Sequence, residues 1–519
     1  MDNETITPKN KKSKKLIIVV IITLFLAVVA YATWWYLNKT SNISDNKSDS
    51  KVIKKLTIAL TDGPLDSFFP DSGYHTSEYQ YAIENQVSEG LVAYEDITKI
   101  VPRLGISWNN PDDNTWVFNL KKGVKFHTGR TMTAEDVAYS IEKSRGFEEM
   151  EAYNSTIQSV KVLSSYKVEI KTNEPDAVLL NKLVFLPIID SKGKNSNTLT
   201  AGTGPYILKK GTKPKKNSLE LAAFDQYHGG KVMTRALKFY LVNSQEDAVK
   251  DVKSGKANLG GELLSESTPG LDKNDVIFNT PGNTVSFIIM NTLKPDSPLA
   301  KKEIREAIRY AVNKEKLLKA SGFKGKPISQ LVTKSIPGYN PNIPEDEVDA
   351  AKAKELLVSA GYKDGFGLDI YYYKTGNEKM IAELKKQLSE VGIRINDITK
   401  DDIGDLIDSI TSGETDIATI GYESDTYDAL DVYDTITRGL NQYKSSQLDE
   451  YLDSASKTFD PNKRLSILQS AAKYINSEVI VIPLYNRSYF WILDSNNYYI
   501  KRDMPAVSTG VYFWKVHLK

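Results

Sequence analysis

"PRLGISWNNPDDNTWVFNLKKGVKFHTGRTMTAEDV", residues 102–137, packs aromatics, a glycine-punctuated basic turn and a helix start into one stretch. "TWVFNL" (115–120) alternates as a strand does, and "KKGVKFH" turns on Gly123 into a second short strand. Thr133 precedes "AEDVAYSIEKS" with Asp136 three residues on, a capping-box variant with Asp in place of Glu. Nothing in the stretch pairs a nucleophile with a base or spaces ligands for a metal. It therefore reads as packing, with Trp108, Trp116 and Phe118 as core, Gly123 and Gly129 as turns and Thr133 as a cap.

Outward from this stretch, strands and helices alternate. "VIKKLTIAL" (52–60) is a β-branched first strand, and "TSEYQYAIENQVSEGLV" (76–92) is a helix that stops at Gly90. "VKVLSSYKVEIKT" (160–172) is a hairpin about Ser164 and Ser165. "LAKKEIREAIRYAVNKEKLLKA" (299–320) is one helix with Ile304, Ile308 and Val312 on a face, and "VDAAKAKELLVSAGY" (348–362) is another, closed by Gly361. "GLDIYYYK" followed by "NEKMIAELKKQLSEVGIRINDI" is strand, helix, strand, the unit of a parallel sheet. The class is α/β or α+β, with a separate α/β lobe over 291–484.

The chain of 519 residues is long enough for several cores, and its 67 basic against 66 acidic residues leave no global field that would recruit nucleic acid. It has no cysteine, which excludes disulfides, thiolate metal sites and a lipidated cysteine anchor. Residues 1–15 form a basic tail ahead of the apolar run 16–37, long enough to cross a hydrocarbon core of about 30 Å. Ala30-Tyr31-Ala32 offers a cleavage site, whereas Trp34, Trp35 and Tyr36 form an interfacial belt. The expectation is a retained transmembrane anchor, a polar tether over 38–51, and a body outside the membrane.

Chemistry is sparse. Ser321-x-x-Lys324, Ser454-x-x-Lys457, Ser44-Asp45-Asn46 and Lys374-Thr375-Gly376 are fragments of a penicillin-binding serine acyl-transferase, but the Ser-Asp-Asn triplet precedes both S-x-x-K pairs. His75, His127, His228 and His517 are scattered without metal-ligand spacing, and no phosphate or dinucleotide loop occurs. No catalytic residue, metal or cofactor is expected.

The opening stretch, extended back to "SEGLVAYED", resembles the signature of extracytoplasmic solute-binding proteins of ABC importers, the group that handles dipeptides, oligopeptides and nickel. The residues carrying it are Glu89-Gly90-Leu91, Tyr94-Glu95, Pro102 to Leu104, Ser107-Trp108, Phe118 to Leu120, Gly123 to His127, Gly129 and Thr133 to Val137. "GTGPY" (202–206), "FDQYHGGK" (224–231), "IIMNT" (288–292), "IREAIRYAVNKEKL" (304–317) and "AKELLVSAGY" (353–362) follow in the family's order. The resemblance implies a two-lobed, periplasmic-binding-protein-like clamshell. Its first lobe is discontinuous (52–88, 200–290 and 485–519), a subdomain is inserted at 89–199, and the second lobe occupies 291–484. Crossing segments near "SFIIMNT" and "PLYNRSYFWIL" form its hinge.

"GYESDTYDALD" (421–431) resembles the family's ligand segment. The likeness implies that Asp425 pairs with the α-ammonium of a bound peptide, that the Tyr422 ring walls a side-chain pocket, and that Gly421, Tyr422 and Glu423 offer main-chain groups to an extended peptide. No motif decides whether Arg394, Arg438 or Arg487 receives the other end. The expected protein is a monomeric receptor that hands peptides to a permease and an ATPase. The alternatives are another cargo (a nickel complex, a sugar, a signalling peptide) and the acyl-transferase.

Overall fold

Three β-sheets organise the body of the computed structural model, which describes residues 52–61, 63–66, 68, 78–96, 99–193, 197–263, 268–272, 275–279, 283–374, 377–424, 426–440, 443–500, 513 and 516–518. The apolar run 16–37, the tether and Asp425 lie outside the described residues. Among the described residues no helix is long and apolar enough to cross a membrane.

The first sheet has seven strands, in the order Val276–Asn279, Phe490–Leu493, Leu259–Leu263, Leu56–Leu60, Ala236–Leu241, Ser218–Ala223 and Tyr206–Leu208. Leu56–Leu60 pairs in parallel on both sides. Its central place explains why "LTIAL" is apolar almost throughout rather than alternating. The second sheet has six strands, in the order Gly325–Pro327, Val481–Arg487, Thr284–Met290, Ile417–Tyr422, Phe366–Tyr373 and Ile393–Lys400. Phe366–Tyr373 and Ile393–Lys400 are parallel across the helix Glu378–Glu390, as the strand-helix-strand pattern implies. All seven residues of Thr284–Met290 are buried. Val285, Phe287 and Ile289 face one core, and Ile288 and Met290 face another.

The chain crosses between these sheets twice, side by side. Asn279↔Phe490 is a pair of the first sheet, and Thr284↔Arg487 is a pair of the second. The second sheet includes Thr284–Met290 and Val481–Arg487, one strand from each crossing.

The third sheet is antiparallel, ordered Gly105–Asp112, Thr115–Leu120, Lys167–Thr172, Ile157–Ser164. Thr115–Leu120 is covered on both faces: Trp116 and Phe118 are buried, and so is Val117 on the opposite side. Trp108 is half-buried with its ring 6.0 Å from that of Phe118. Asp136 accepts from the Thr133 backbone N–H at 2.8 Å, and Gly123 and Gly129 take positive φ. Truncating Phe118 to Ala is expected to cost about 3–5 kcal/mol.

This subdomain is welded to the first sheet's lobe by a buried carboxylate. Glu89 is bound by Arg103 at 2.9 Å, His228 at 2.6 Å, Thr203 at 2.9 Å and Tyr227 at 3.0 Å. Burial pushes its carboxyl up, but the charge of Arg103 and the hydrogen bonds from His228 and Thr203 outweigh it and hold the group at about 2. Lys121 Nζ, which only donates, meets His228 Nδ1 at 2.9 Å, so Nε2 carries the hydrogen given to Glu89. Gly202 lies against Val87, where a Cβ would sit 2.0 Å from the carbonyl oxygen, so no side chain fits there. The His127 N–H donates to the Gly202 carbonyl at 2.9 Å, so residues of "EGL", "GVKFH", "GTGPY" and "QYHGGK" meet at one junction.

One expectation changes. The helix expected over 299–320 breaks into Lys302–Ala311 and Lys314–Ser321, because Val312 is extended and the Asn313 side chain caps the second helix, accepting from the Lys316 N–H at 3.0 Å.

Candidate functional site

Strands Phe366–Tyr373 and Ile417–Tyr422 run in parallel and end together beside the crossings. Carboxyl ends of parallel strands are where open α/β sheets present ligands. The ladder between these two strands stops at Tyr372↔Thr419, whereas on the other side Ile417–Tyr422 stays paired as far as Val285↔Tyr422. Past Thr419 the strand thus has a ladder partner on one side only among the described residues. A cavity of about 270 Å³ lies here, lined by Ser286, Thr419, Gly421 and Arg487 and by the apolar Met380 and Ile403.

The loop that follows is pinned from within. Asp431, in the helix Ala429–Asp434, accepts from the Tyr422 hydroxyl at 2.9 Å, the Ser424 hydroxyl at 2.7 Å and the Thr426 N–H at 3.1 Å. Burial pushes the Asp431 carboxyl up against these donors, and Asp428 adds to the rise. Asp428 caps the same helix through the Leu430 N–H and holds Arg464 with two bonds of 2.7 Å. Tyr427 takes a left-handed φ of 52°, which a non-glycine residue keeps only where its surroundings enforce it. Those surroundings include Tyr94 and Asn181, distant in the chain. The Thr426 carbonyl accepts from Tyr94 at 2.6 Å and Asn181 at 3.0 Å, and the rings of Tyr94 and Tyr427 meet edge-on at 5.3 Å.

Of the residues singled out in the sequence, Gly421 and Tyr422 end the strand and Glu423 follows it. Glu423 accepts from the Thr284 hydroxyl at 2.8 Å, and the Tyr422 phenol is bound to Asp431, so both side chains are engaged within the protein. Asp425 lies outside the described residues, between the buried Ser424 and Thr426.

The three arginines separate cleanly. Arg438 is bound by Asp434, Asp449 and Asp453, Arg394 is exposed on its strand, and Arg487 reaches the cavity. Sequence reasoning missed Thr419 and Asp431 altogether. Asp431 carries a faint signal, standing three residues beyond Asp428 at a helix start, whereas Thr419 carries none.

Residues of the two Ser-x-x-Lys pairs are engaged elsewhere, and Ser44-Asp45-Asn46 and Thr375-Gly376 lie outside the described residues. Ser321 donates to the Leu318 carbonyl at 2.7 Å while Lys324 sits over the Phe490 ring at 5.4 Å, and Lys457 faces Glu174 at 3.8 Å. His127 is buried against the Gly204 carbonyl and His228 belongs to the Glu89 junction. Among the described residues no cluster of histidines and carboxylates is arranged to hold a metal.

A family model for the middle region of bacterial extracellular solute-binding proteins, family 5, matches residues 99–444, well over half of the chain. The chain belongs to this family. The family-5 protein is 24% identical to the dipeptide-binding protein of Escherichia coli over 85% of its own length and 91% of that protein. It is 24% identical to heme-binding protein A of Haemophilus influenzae, over 86% and 89% of the two chains. Its fold matches that of the periplasmic binding protein DppA of Helicobacter pylori, solved with the peptide STSA, with a TM-score of 0.72 at 24% identity over 91% and 99% of the two chains. These relatives are substrate-binding proteins and not enzymes, and the fold is the two-lobed α/β fold of periplasmic binding proteins.

Proposed function

We propose that the protein is the substrate-binding component of an ABC importer and that it captures peptides for a permease and an ATPase. The observation that carries this reading is the end of strand Ile417–Tyr422, paired on one side only past Thr419 and lying at a cavity. Such an edge accepts an extended peptide through main-chain hydrogen bonds, which ignore sequence. The dipeptide-binding relative and the peptide-bound structural neighbour support the same cargo class. The apolar run 16–37 serves as an uncleaved anchor that leaves the body outside the membrane. The lobes close about the two crossings, and a solute touching both lobes stabilises the closed form that the permease reads.

Asp425 takes the peptide's ammonium. Its neighbours Ser424 and Thr426 are held by Asp431, and a carboxylate set in such a loop gains most from a cation that arrives with the ligand. Calorimetry with a mixed peptide library tests the reading, together with mass spectrometry of solute that co-purifies. Stoichiometric, unmodified peptide is the expected result, and covalent labelling of Ser321 or Ser454 by a penicillin would overturn it. Asp425→Asn should weaken free-amine peptides about tenfold or more while sparing N-acetylated ones; equal losses reject the ammonium role.

A further inference from the structure

We infer that Arg487, seated across Gly421, receives an anionic group of the solute, a carboxylate, and that Thr419 completes this subsite. The inference rests on the reading of the cavity as the solute site. Arg487 ends its strand at a crossing, paired with Thr284 on one side and Gly325 on the other, so its backbone is fixed. Its guanidinium lies over the Phe323 ring at 5.2 Å. A Cβ on Gly421 would lie 2.0 Å from Arg487 Nη2, so the missing side chain at 421 is what makes room for the cation.

What sets Arg487 apart among the described arginines is a buried nitrogen left without an acceptor at a cavity. Arg103, Arg130, Arg235, Arg438 and Arg464 each meet at least one carboxylate, and Arg305 is wrapped in backbone carbonyls. Arg487 has no carboxylate partner among the described residues, and its buried Nε has no acceptor. Thr419 is in the same condition on the same cavity: it is 6% exposed, and its hydroxyl is buried without a partner. Leaving buried donors unmet is costly, and a ligand acceptor relieves both at once. The guanidinium fork fits a carboxylate with two parallel bonds. Phe323 fixes the plane of that fork, and the hydroxyl supplies a further donor.

The test is calorimetry on the purified full-length chain with a mixed tripeptide library and with the same library amidated at the C-terminus. Wild type should bind the free acids at least about 30-fold more tightly than the amides. Arg487→Gln should abolish that ratio by weakening only the acids, Arg487→Lys should restore part of it, and Thr419→Val should reduce it severalfold. Their melting temperatures should match wild type or exceed it, because each removes an unmet donor. Equal affinity of wild type for acids and amides overturns the role of Arg487 and leaves the peptide reading standing. An unchanged ratio in Arg487→Gln does the same. Failure of both libraries to bind overturns the peptide reading and the carboxylate role together.

Discussion

The junction at Glu89 and the cavity at Arg487 both hold a charged side chain with buried polar atoms, and they treat it in opposite ways. Glu89 is surrounded by Arg103, His228, Thr203 and Tyr227 from three separate segments, so its charge is met inside the protein. Arg487 has an aromatic ring beneath it and a buried nitrogen without an acceptor. A completed network makes a rigid weld, and an incomplete one at a cavity is a receptor. The contrast separates the family's sequence motifs, which build the weld, from the residues proposed to choose the cargo.

The largest effect is expected from breaking the weld. Glu89→Ala removes the carboxylate that Arg103, His228, Thr203 and Tyr227 share, and should cost about 3–5 kcal/mol in urea unfolding. Arg487→Gln should leave unfolding nearly unchanged by comparison. If the two variants lose equal stability, the distinction between weld and receptor collapses.

Acid should act on the weld next. Burial holds His127 down at about 4, with the Gly204 and Leu199 carbonyls and Glu89 only partly opposing it. The folded state thus keeps this ring neutral while the unfolded chain takes up a proton near pH 6.5, so the stability His127 confers is present above that pH and is lost as pH falls toward 4. Its full extent is roughly 3 kcal/mol. Glu89, held at about 2 against an ordinary 4.5, adds a second loss as pH falls below 4.5. Denaturation midpoints measured from pH 7 to 3 should fall in these two stages. His127→Gln should flatten only the upper one; a slope that survives in this variant assigns the loss to another group.

Legibility in the sequence follows the same divide. Phe118, Asp136 and Gly202 were readable because their roles are local or belong to motifs: a strand residue in the core, a cap three residues from its partner, a glycine in "GTGPY". The long helix over 299–320 was misread because its apolar spacing continues through Val312, and only the Asn313 cap reveals the break. Arg487 and Arg438 cannot be told apart by their neighbours in the chain. Folding brings Asp449 and Asp453 to one of them and brings the Phe323 ring and Gly421 to the other. Thr419 is still less visible, since its meaning is a hydroxyl without a partner, and partners exist only in three dimensions.

The smallest change in stability, and the sharpest test of the comparison, belongs to Gly421→Ala. The new methyl would overlap the tip of the Arg487 side chain and no backbone atom. A flexible tip moves aside cheaply, so stability should change by no more than about 0.5 kcal/mol. The displaced guanidinium would then lose its place over Phe323 and its reach to the solute. Affinity for free-acid peptides should therefore fall about tenfold while amidated peptides bind as before, so the variant should mimic Arg487→Gln without touching the arginine. If acids and amides weaken together, Gly421 serves the main-chain path of the peptide rather than the seat of Arg487. The double variant Gly421→Ala with Arg487→Gln distinguishes these roles further: a loss no greater than that of either single change places both residues in one subsite, whereas additive losses separate them.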